Sequence, residues 1–375
     1  MLYFAQVRSW TRRLLFAGSL LLGCGDPRLI QPQEPVCTTA TCEEEPSEEP
    51  EVAEPEKICP EGKDGDVYWR LADGTLGDLA EECAEDQTCI GGLCAKIGMF
   101  SYISNRNEVP EIFLQEGFLP PEKKFSLPNS SPRSPKWCFE DNLVLELTHG
   151  SFSELYQLDM QGTLSKLTLF PGYNSNPSCD DHGQFIFFSS NMNAFYNIYK
   201  IEINSTEGAK GLVGLTRLPE ADEEGIVAFS ESHACRTGDW VAVRCDYEDN
   251  SEICKISKDG TILTRLTFSQ SGGNSSPACS PDGTKIAFTS YRHDTELGQS
   301  NKDIYVISIN GGDEQRITSD AEIEENPAWS PDGKIIGYEL GNGGEKDLWI
   351  TDNLGKEHLL LTSKQGDEYD MAWKQ

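Results

Sequence analysis

One pattern recurs in the second half of this 375-residue chain and limits what the chain can fold into. Asn274-SSPACSPDGTKIAFTS-Tyr291 returns as Glu324-ENPAWSPDGKIIGYEL and, more loosely, as Asn174-SNPSCDDHGQFIFFSS. An alternating segment follows each copy: Asp303-IYVIS, Asp347-LWIT and Asn197-IYKIE. Next come a glycine-containing turn and a short segment ending in Ile317-Thr318, Leu361-Thr362 or Leu215-Thr216. Each unit therefore predicts four short strands, A to D. The A–B reversal is made by Pro-Asp-Gly, because proline presets φ and glycine accepts positive φ. Four strands per unit of about 45–50 residues is the period of a propeller blade. A single blade cannot bury its own faces, so neighbouring units must stack.

Weaker copies fall in register. Pro135-Lys136-Trp137 opens one unit, continued by Leu143-VLEL and Leu155-YQLD. Ile226-Val227-Ala228-Phe229 opens another, continued by Trp240-VAV and Ile253-CKIS. The A strands begin near residues 135, 177, 227, 277, 327 and 371, which gives five complete units and one orphan strand, Asp370–Trp373. The missing partners stand at the other end of the repeat region: Ile97-GMFSYIS, Glu111-IFLQ and Lys124-FSL. The C-terminal strand is thus expected to complete the first blade and close a ring of six, removing exposed sheet edges. An open or α/β arrangement is the alternative, but no region offers the helical periodicity that crossovers need. The fold class is all-β: a six-bladed β-propeller closed by the C-terminal strand, preceded by a small disulfide-rich module and a disordered acidic tether.

The units Asn274–Tyr291 and Glu324–Leu340 resemble the repeats of the TolB-like six-bladed propellers of the bacterial envelope. The resemblance covers roughly residues 96–375, strongest in the last two blades. Similar repeats occur in the propellers of prolyl oligopeptidase-like enzymes and of some pectin-degrading lyases, so the motif speaks for fold rather than activity. TolB-like proteins carry an N-terminal α/β domain. Here an acidic tail and a cysteine cluster take its place, so contacts made through that domain are not inherited.

The N-terminus reads as an export signal. Arg8, Arg12 and Arg13 precede the apolar run Leu14–Leu22, which is too short to span a bilayer. It ends in Leu21-Leu22-Gly23-Cys24, which resembles the lipobox of bacterial lipoproteins; an ordinary secretory signal is the alternative. Residues 1–23 are the expected signal peptide and Cys24 the lipidation site. Aspartate stands second after the cysteine, at Asp26, and not directly after it. By resemblance to known sorting rules, this favours the outer membrane, with the propeller on the periplasmic side or at the cell surface. Only the N-terminal lipid would touch the membrane.

Residues 24–58 read as a tether, since Glu43, Glu44, Glu45, Glu48, Glu49, Glu51, Glu54 and Glu56 repel one another and Pro46, Pro50 and Pro55 block helix. Residues 59–95 hold Cys59, Cys83, Cys89 and Cys94, whose spacing in an exported chain favours disulfides over zinc. Three pairings are open, and Cys37 with Cys42 is a further candidate loop. Tyr68, Trp69, Leu71, Leu76 and Leu79 are the expected core of this module. Residues 96–375 form the propeller. There Cys245 and Cys254 fall on successive strands of one blade and are positioned to pair, while Cys138 with Cys179 and Cys235 with Cys279 stay open pairings.

Strand order puts the A–B and C–D turns on one face and the B–C and D–A loops on the other. The second face carries the longer, variable loops, where recognition usually resides. Its D–A loops hold Glu220, Asp222, Glu223 and Glu224; Asp320, Glu322, Glu324 and Glu325; and Asp367, Glu368 and Asp370. Its B–C loops add Asp246, Glu248 and Asp249, then Arg292, His293, Asp294 and Glu296. A ring of acids around one channel mouth would focus negative potential there. This predicts a docking face for an envelope protein with a basic segment, or for a divalent cation; a merely solvated surface is the plain alternative. The net charge of −31 argues against nucleic acid.

Enzymatic constellations are scarce. The five histidines, His149, His182, His233, His293 and His358, show no helical metal-pair spacing, and Gly-x-Ser-x-Gly is absent. No twelve-residue calcium loop is present, and no cofactor is expected. Trp137, Trp329 and Trp373 read as packing between blades. The expected function is a non-enzymatic interaction platform. A channel-centred polysaccharide lyase or other glycan-processing enzyme, and a module binding cell-wall glycan or a small ligand, are the alternatives.

Overall fold

A computed structural model describes residues 56–60, 67–72, 75–84, 87–127, 130–138, 141–204, 208–218, 225–270, 272–294, 299–341, 345–362 and 366–374. Cys24, Cys37 and Cys42, the expected signal peptide and most of the expected tether lie outside these residues.

Six four-stranded antiparallel sheets make the expected propeller. In the second blade, strands A to D are Ser131–Trp137, Leu143–His149, Phe152–Leu158 and Leu164–Lys166. The first blade is joined from both ends of the repeat region. Glu368–Trp373 is its A strand and pairs with Met99–Ser104, followed by Glu111–Glu116 and Lys123–Ser126. Each A strand packs beside the next, and the C-terminal one beside that of the second blade, so the ring is closed.

Two local devices account for the repeat. In the A–B turn, Ser280 Oγ accepts the Lys285 N–H (2.9 Å) and Asp282 Oδ1 accepts the Thr284 N–H (3.0 Å), while Gly283 takes φ +69°. Ser330 and Asp332 repeat the arrangement, and Asp180 substitutes for the serine by accepting the Phe185 N–H. The threonine that ends strand D has its own task. Thr168, Thr216, Thr267, Thr318 and Thr362 each accept an N–H from strand C, at Leu155, Ile198, Ile253, Ile304 and Leu348. A short outer strand is thereby fastened by a side chain where the ladder ends.

Blades meet through large apolar side chains. Trp137 Nε1 donates to the Ala372 carbonyl (3.1 Å) and Trp329 Nε1 to the Ala278 carbonyl (3.0 Å), each on the preceding blade. Trp373 donates to the Ile97 carbonyl. These indoles are buried, as expected for packing residues.

In the N-terminal module the first described residue is Glu56. The module consists of a small sheet, Glu56–Ile58, Val67–Arg70 and Leu76–Glu81, and a hairpin, Thr88–Ile90 with Leu93–Ala95. Cys59–Cys89 and Cys83–Cys94 are its disulfides. Its interior differs from the expected one: Leu71, Leu76 and Leu79 are 44–46% exposed, and Val67 packs instead against the four half-cystines and Ala80. So small a unit replaces an aliphatic core with covalent bonds. The module sits on the tight-turn face of the sixth blade. Gly91 N–H donates to Glu357 Oε2 (2.7 Å), Lys96 N–H to Asp332 (3.2 Å), and Lys334 Nζ to the Cys94 carbonyl (2.6 Å). A Cβ on Gly91, at φ +58°, would meet the Asp352 carboxyl at 2.4 Å, so only glycine allows this approach. Ile90, Ala95 and Ile97 join the blade's own core. Within the propeller, Cys138–Cys179 and Cys235–Cys279 join neighbouring blades, and Cys245–Cys254 joins adjacent strands of the fourth.

Candidate functional site: the loop face and the channel beneath it

The six A strands line a central channel. Each bulges at one equivalent position, where the residue takes a left-handed conformation: Ser134, Asn176, Glu231, Ser276, Asn326 and Asp370, with φ of +48 to +55°. The bulge turns an N–H out of its ladder, and at Ser134, Ser276, Asn326 and Asp370 a side chain of the preceding blade accepts it. In two of these four the acceptor is the strand B residue beside the bulge. Asn326 N–H donates to Thr289 Oγ1 (3.1 Å) and Asp370 N–H to Glu339 Oε1 (2.9 Å). In the first and fourth blades that residue is Ile103 or Arg244, neither of which can accept. There the left-handed residue is itself an acid. Asp370 Oδ2 accepts the Ser134 N–H (3.0 Å), and Glu231 Oε2 accepts the Ser276 N–H (2.6 Å). Arg244 then pairs with Glu231 (3.3 Å) and Asp246 (2.6 Å).

Several acids expected on an open rim have such internal duties. Glu324 and Glu368 are 0% exposed and are not part of the surface. Each opens an A strand, a position that reads as loop in sequence but tucks beneath the D–A crossing. Burial, reinforced by Asp303 and Asp320, pushes the Glu324 carboxyl up to about 9, so it is held protonated. Glu368 pairs with Arg106. Glu325 pairs with Lys302 (2.6 Å) and with Lys346. Lys346 also holds Glu339 (2.9 Å), whose carboxyl burial raises to about 7 against the pull of that lysine. Asp370 lines the channel, and Asp367 Oδ1 accepts the Lys346 N–H.

Glu322, Glu248, Asp249 and Asp320 remain on the surface. Arg292, His293 and Asp294 extend the long B–C hairpin of the fifth blade, Lys285–Asp294 against Gln299–Ser308. Glu220, Asp222, Glu223, Glu224 and Glu296 lie outside the described residues.

The loop face also carries apolar side chains that the acidic reading passed over. Leu169 is 81% exposed and Phe268 69%, both in D–A loops; Val109, Phe152, Phe195 and Tyr291 stand exposed at B–C connections. Two grooves lie among them. One, of about 580 Å³, is lined by Val227, Tyr247, Glu248, Asp249 and Arg265; the Arg265 guanidinium lies 4.7 Å from the centre of the Phe268 ring. The other, of about 910 Å³, is lined by Val109, Pro110, Thr148 and His149. The sequence signal was present: in a D–A loop the residue after the strand-ending threonine is Leu169 or Phe268 in two blades, where a polar residue stands in the others. Among the described residues no group of three or more His, Cys, Asp and Glu is gathered to hold a metal.

Six closed blades with short turns on one face and long loops around a channel mouth on the other define a propeller built as a rigid platform. Residues 234–369 match the family model described as TolB beta propeller domain. The chain has a TolB-like six-bladed β-propeller fold. It is 27% identical over 180 residues to a Protein TolB homolog of Chlorobium luteolum, covering 46% of this chain and 36% of that one. It is 34% identical over 90 residues to the Tol-Pal system protein TolB of Desulfosudis oleivorans, covering 24% and 19%. The chain thus spans well under two thirds of these relatives. Among solved structures, TolB from Acinetobacter baumannii superposes with a TM-score of 0.61 at 20% identity, over 82% of this chain and 78% of that one.

Proposed function

We propose that the protein is a lipid-anchored envelope scaffold whose loop face docks a partner protein, and that it performs no catalysis itself. The observation that carries this is the ring of exposed apolar side chains, Leu169 and Phe268 foremost, set beside surface acids on the variable face. Apolar anchors with a charged surround are the usual make-up of a protein-binding surface. Relatives described as Tol-Pal system TolB support an envelope setting, and the lipobox-like Leu21–Cys24 supports anchorage through Cys24. The partner suited to this face presents an apolar segment flanked by Lys or Arg.

The test is cross-linking in intact envelopes, followed by affinity isolation of the full chain and of a Leu169→Asp, Phe268→Asp variant. Both side chains are so exposed that thermal stability should not change, while a partner captured by the wild type is lost. Equal capture by the two forms refutes the loop face as the docking surface. Release of the Cys24→Ser variant from membranes that retain the wild type checks the anchor.

A further inference from the structure

Below the ring of left-handed residues the channel changes character. Two positions further along each A strand stand Lys136, Ser178 and His233 in the second, third and fourth blades, and Ala278, Ala328 and Ala372 in the fifth, sixth and first. One half of the wall is therefore polar and the other half methyl groups, leaving space in front of the polar side. Arg236 enters the same space near the tight-turn face, where Trp137, Trp329 and Trp373 form the remaining wall. The cavities above and below this level measure about 120 and 60 Å³ and share Lys136 and His233.

The charges here do not balance. Among the described residues Lys136 forms no ion pair; Asp370 and Glu339 act on it only from a distance, and Asp180 and Asp181 do the same for Arg236. Burial lowers the affinity of both groups for their protons. Enclosed cations without a partner are costly, and a counter-charge offsets that cost. His233 adds a neutral donor. Its Nδ1 accepts the Cys279 N–H (3.3 Å), which puts the ring proton on Nε2, and burial together with Lys136 and Arg236 depresses its pKa to about 3. The acids at the mouth do not bar an anion. Glu231 and Asp370 are each tied to a backbone N–H, and Glu231 also to Arg244.

We propose that Lys136, His233 and Arg236 form a carboxylate-binding site in the channel, in a chain that is otherwise strongly acidic. The class of ligand follows from the chemistry. A planar carboxylate meets a guanidinium in a two-point contact, and the narrow, half-alanine lumen takes a group of a few heavy atoms. The site admits either a free small carboxylate or an Asp or Glu side chain of a segment entering from the loop face.

Three of the chain's seven tryptophans wall this space and give a readout on the full chain, with a Trp137→Phe, Trp329→Phe, Trp373→Phe variant as the blank for the other four. Iodide, an anionic quencher, should quench the fluorescence of the three more than caesium does, against the sign of the chain's net charge. Succinate, the free-ligand probe, should protect against iodide and raise the melting temperature. A short glutamate-containing peptide protecting where succinate does not would place the carboxylate on a docked segment. In Lys136→Gln the protecting ligand should bind roughly tenfold more weakly or worse, about 1.4 kcal/mol. Lys136→Gln also changes packing, so Ala328→Asp, which supplies an internal carboxylate, is the second variant; it should fold and lose the response. If neither probe changes iodide quenching, or if Lys136→Gln and Ala328→Asp respond as the wild type does, the site does not exist.

Discussion

Closure of the ring by the last strand makes Trp373 the residue on which the first blade depends. Its indole packs on Phe100 (ring centres 6.4 Å apart), donates to the Ile97 carbonyl and fills the space left by Gly337, where a Cβ would approach it to 2.7 Å. Trp373→Ala removes this buried ring, and such truncations cost about 3–5 kcal/mol. With an unfolding entropy of about 2.1 cal/mol/K per residue over about 280 propeller residues, the melting temperature should fall by roughly 5–9 °C. Trp373→Phe keeps most of the ring but strips the Ile97 carbonyl of its donor, a loss of about 1–3 kcal/mol. Trp329→Ala removes the matching indole inside an uninterrupted blade and calibrates the effect. Deleting residues 368–375 should do more than any substitution, since it bares the edge of Met99–Ser104 and the core beneath it. The assay is thermal unfolding followed by near-ultraviolet circular dichroism. A deletion that melts cooperatively at the wild-type temperature, or an unaltered Trp373→Ala, refutes the closure argument.

Three further outcomes follow from burial and cross-linking. Between pH 4.5, the ordinary glutamate value, and about 9, folded Glu324 keeps a proton that the unfolded chain releases. Stability should therefore fall as pH rises through that window, and Glu324→Gln should flatten the slope of melting temperature against pH. His233 works from the other side: between about 3 and 6.5 the unfolded chain binds a proton that the folded one refuses, so acid destabilises, and His233→Gln should lessen this. Replacing Cys59 and Cys89 by serine opens a loop of about 30 residues, worth about 3–4 kcal/mol in chain entropy. Hydrogen exchange should then rise across Thr88–Ala95 while the blades keep their protection; equal protection of the hairpin would show that docking on the sixth blade alone holds it.

The blades were legible because their turns demand particular residues. Pro-Asp-Gly and the strand-ending threonine are needed for their backbone or hydroxyl chemistry, so they repeat as letters. The left-handed ring repeats only as a shape. Its six members are Ser134, Asn176, Glu231, Ser276, Asn326 and Asp370, alike in φ and different in side chain, so no motif announces them. Glu324 and Glu368 were misplaced for a related reason: a carboxylate at a strand start looks solvated until the neighbouring D–A crossing covers it. The leucines of the small module read as inward because apolar residues usually are, whereas four half-cystines already occupy its centre. The channel's basic pocket was hidden for want of register, since Lys136 and His233 lie 97 residues apart and meet only when the A strands are aligned at their bulges.

That the bulged N–H groups of Ser134, Ser276, Asn326 and Asp370 are answered from the blade before has an evolutionary consequence. Where the answering side chain is on strand B, a blade serves its successor in one way; where strand B offers Ile103 or Arg244, the left-handed acid must do so instead. Copying or transplanting a single blade would leave a donor facing the wrong neighbour on one side. What diverging copies of this repeat hand down intact is the seam between two blades, and substitutions at Asp370 or Glu231 should be tolerated only in company with a change on the strand next door.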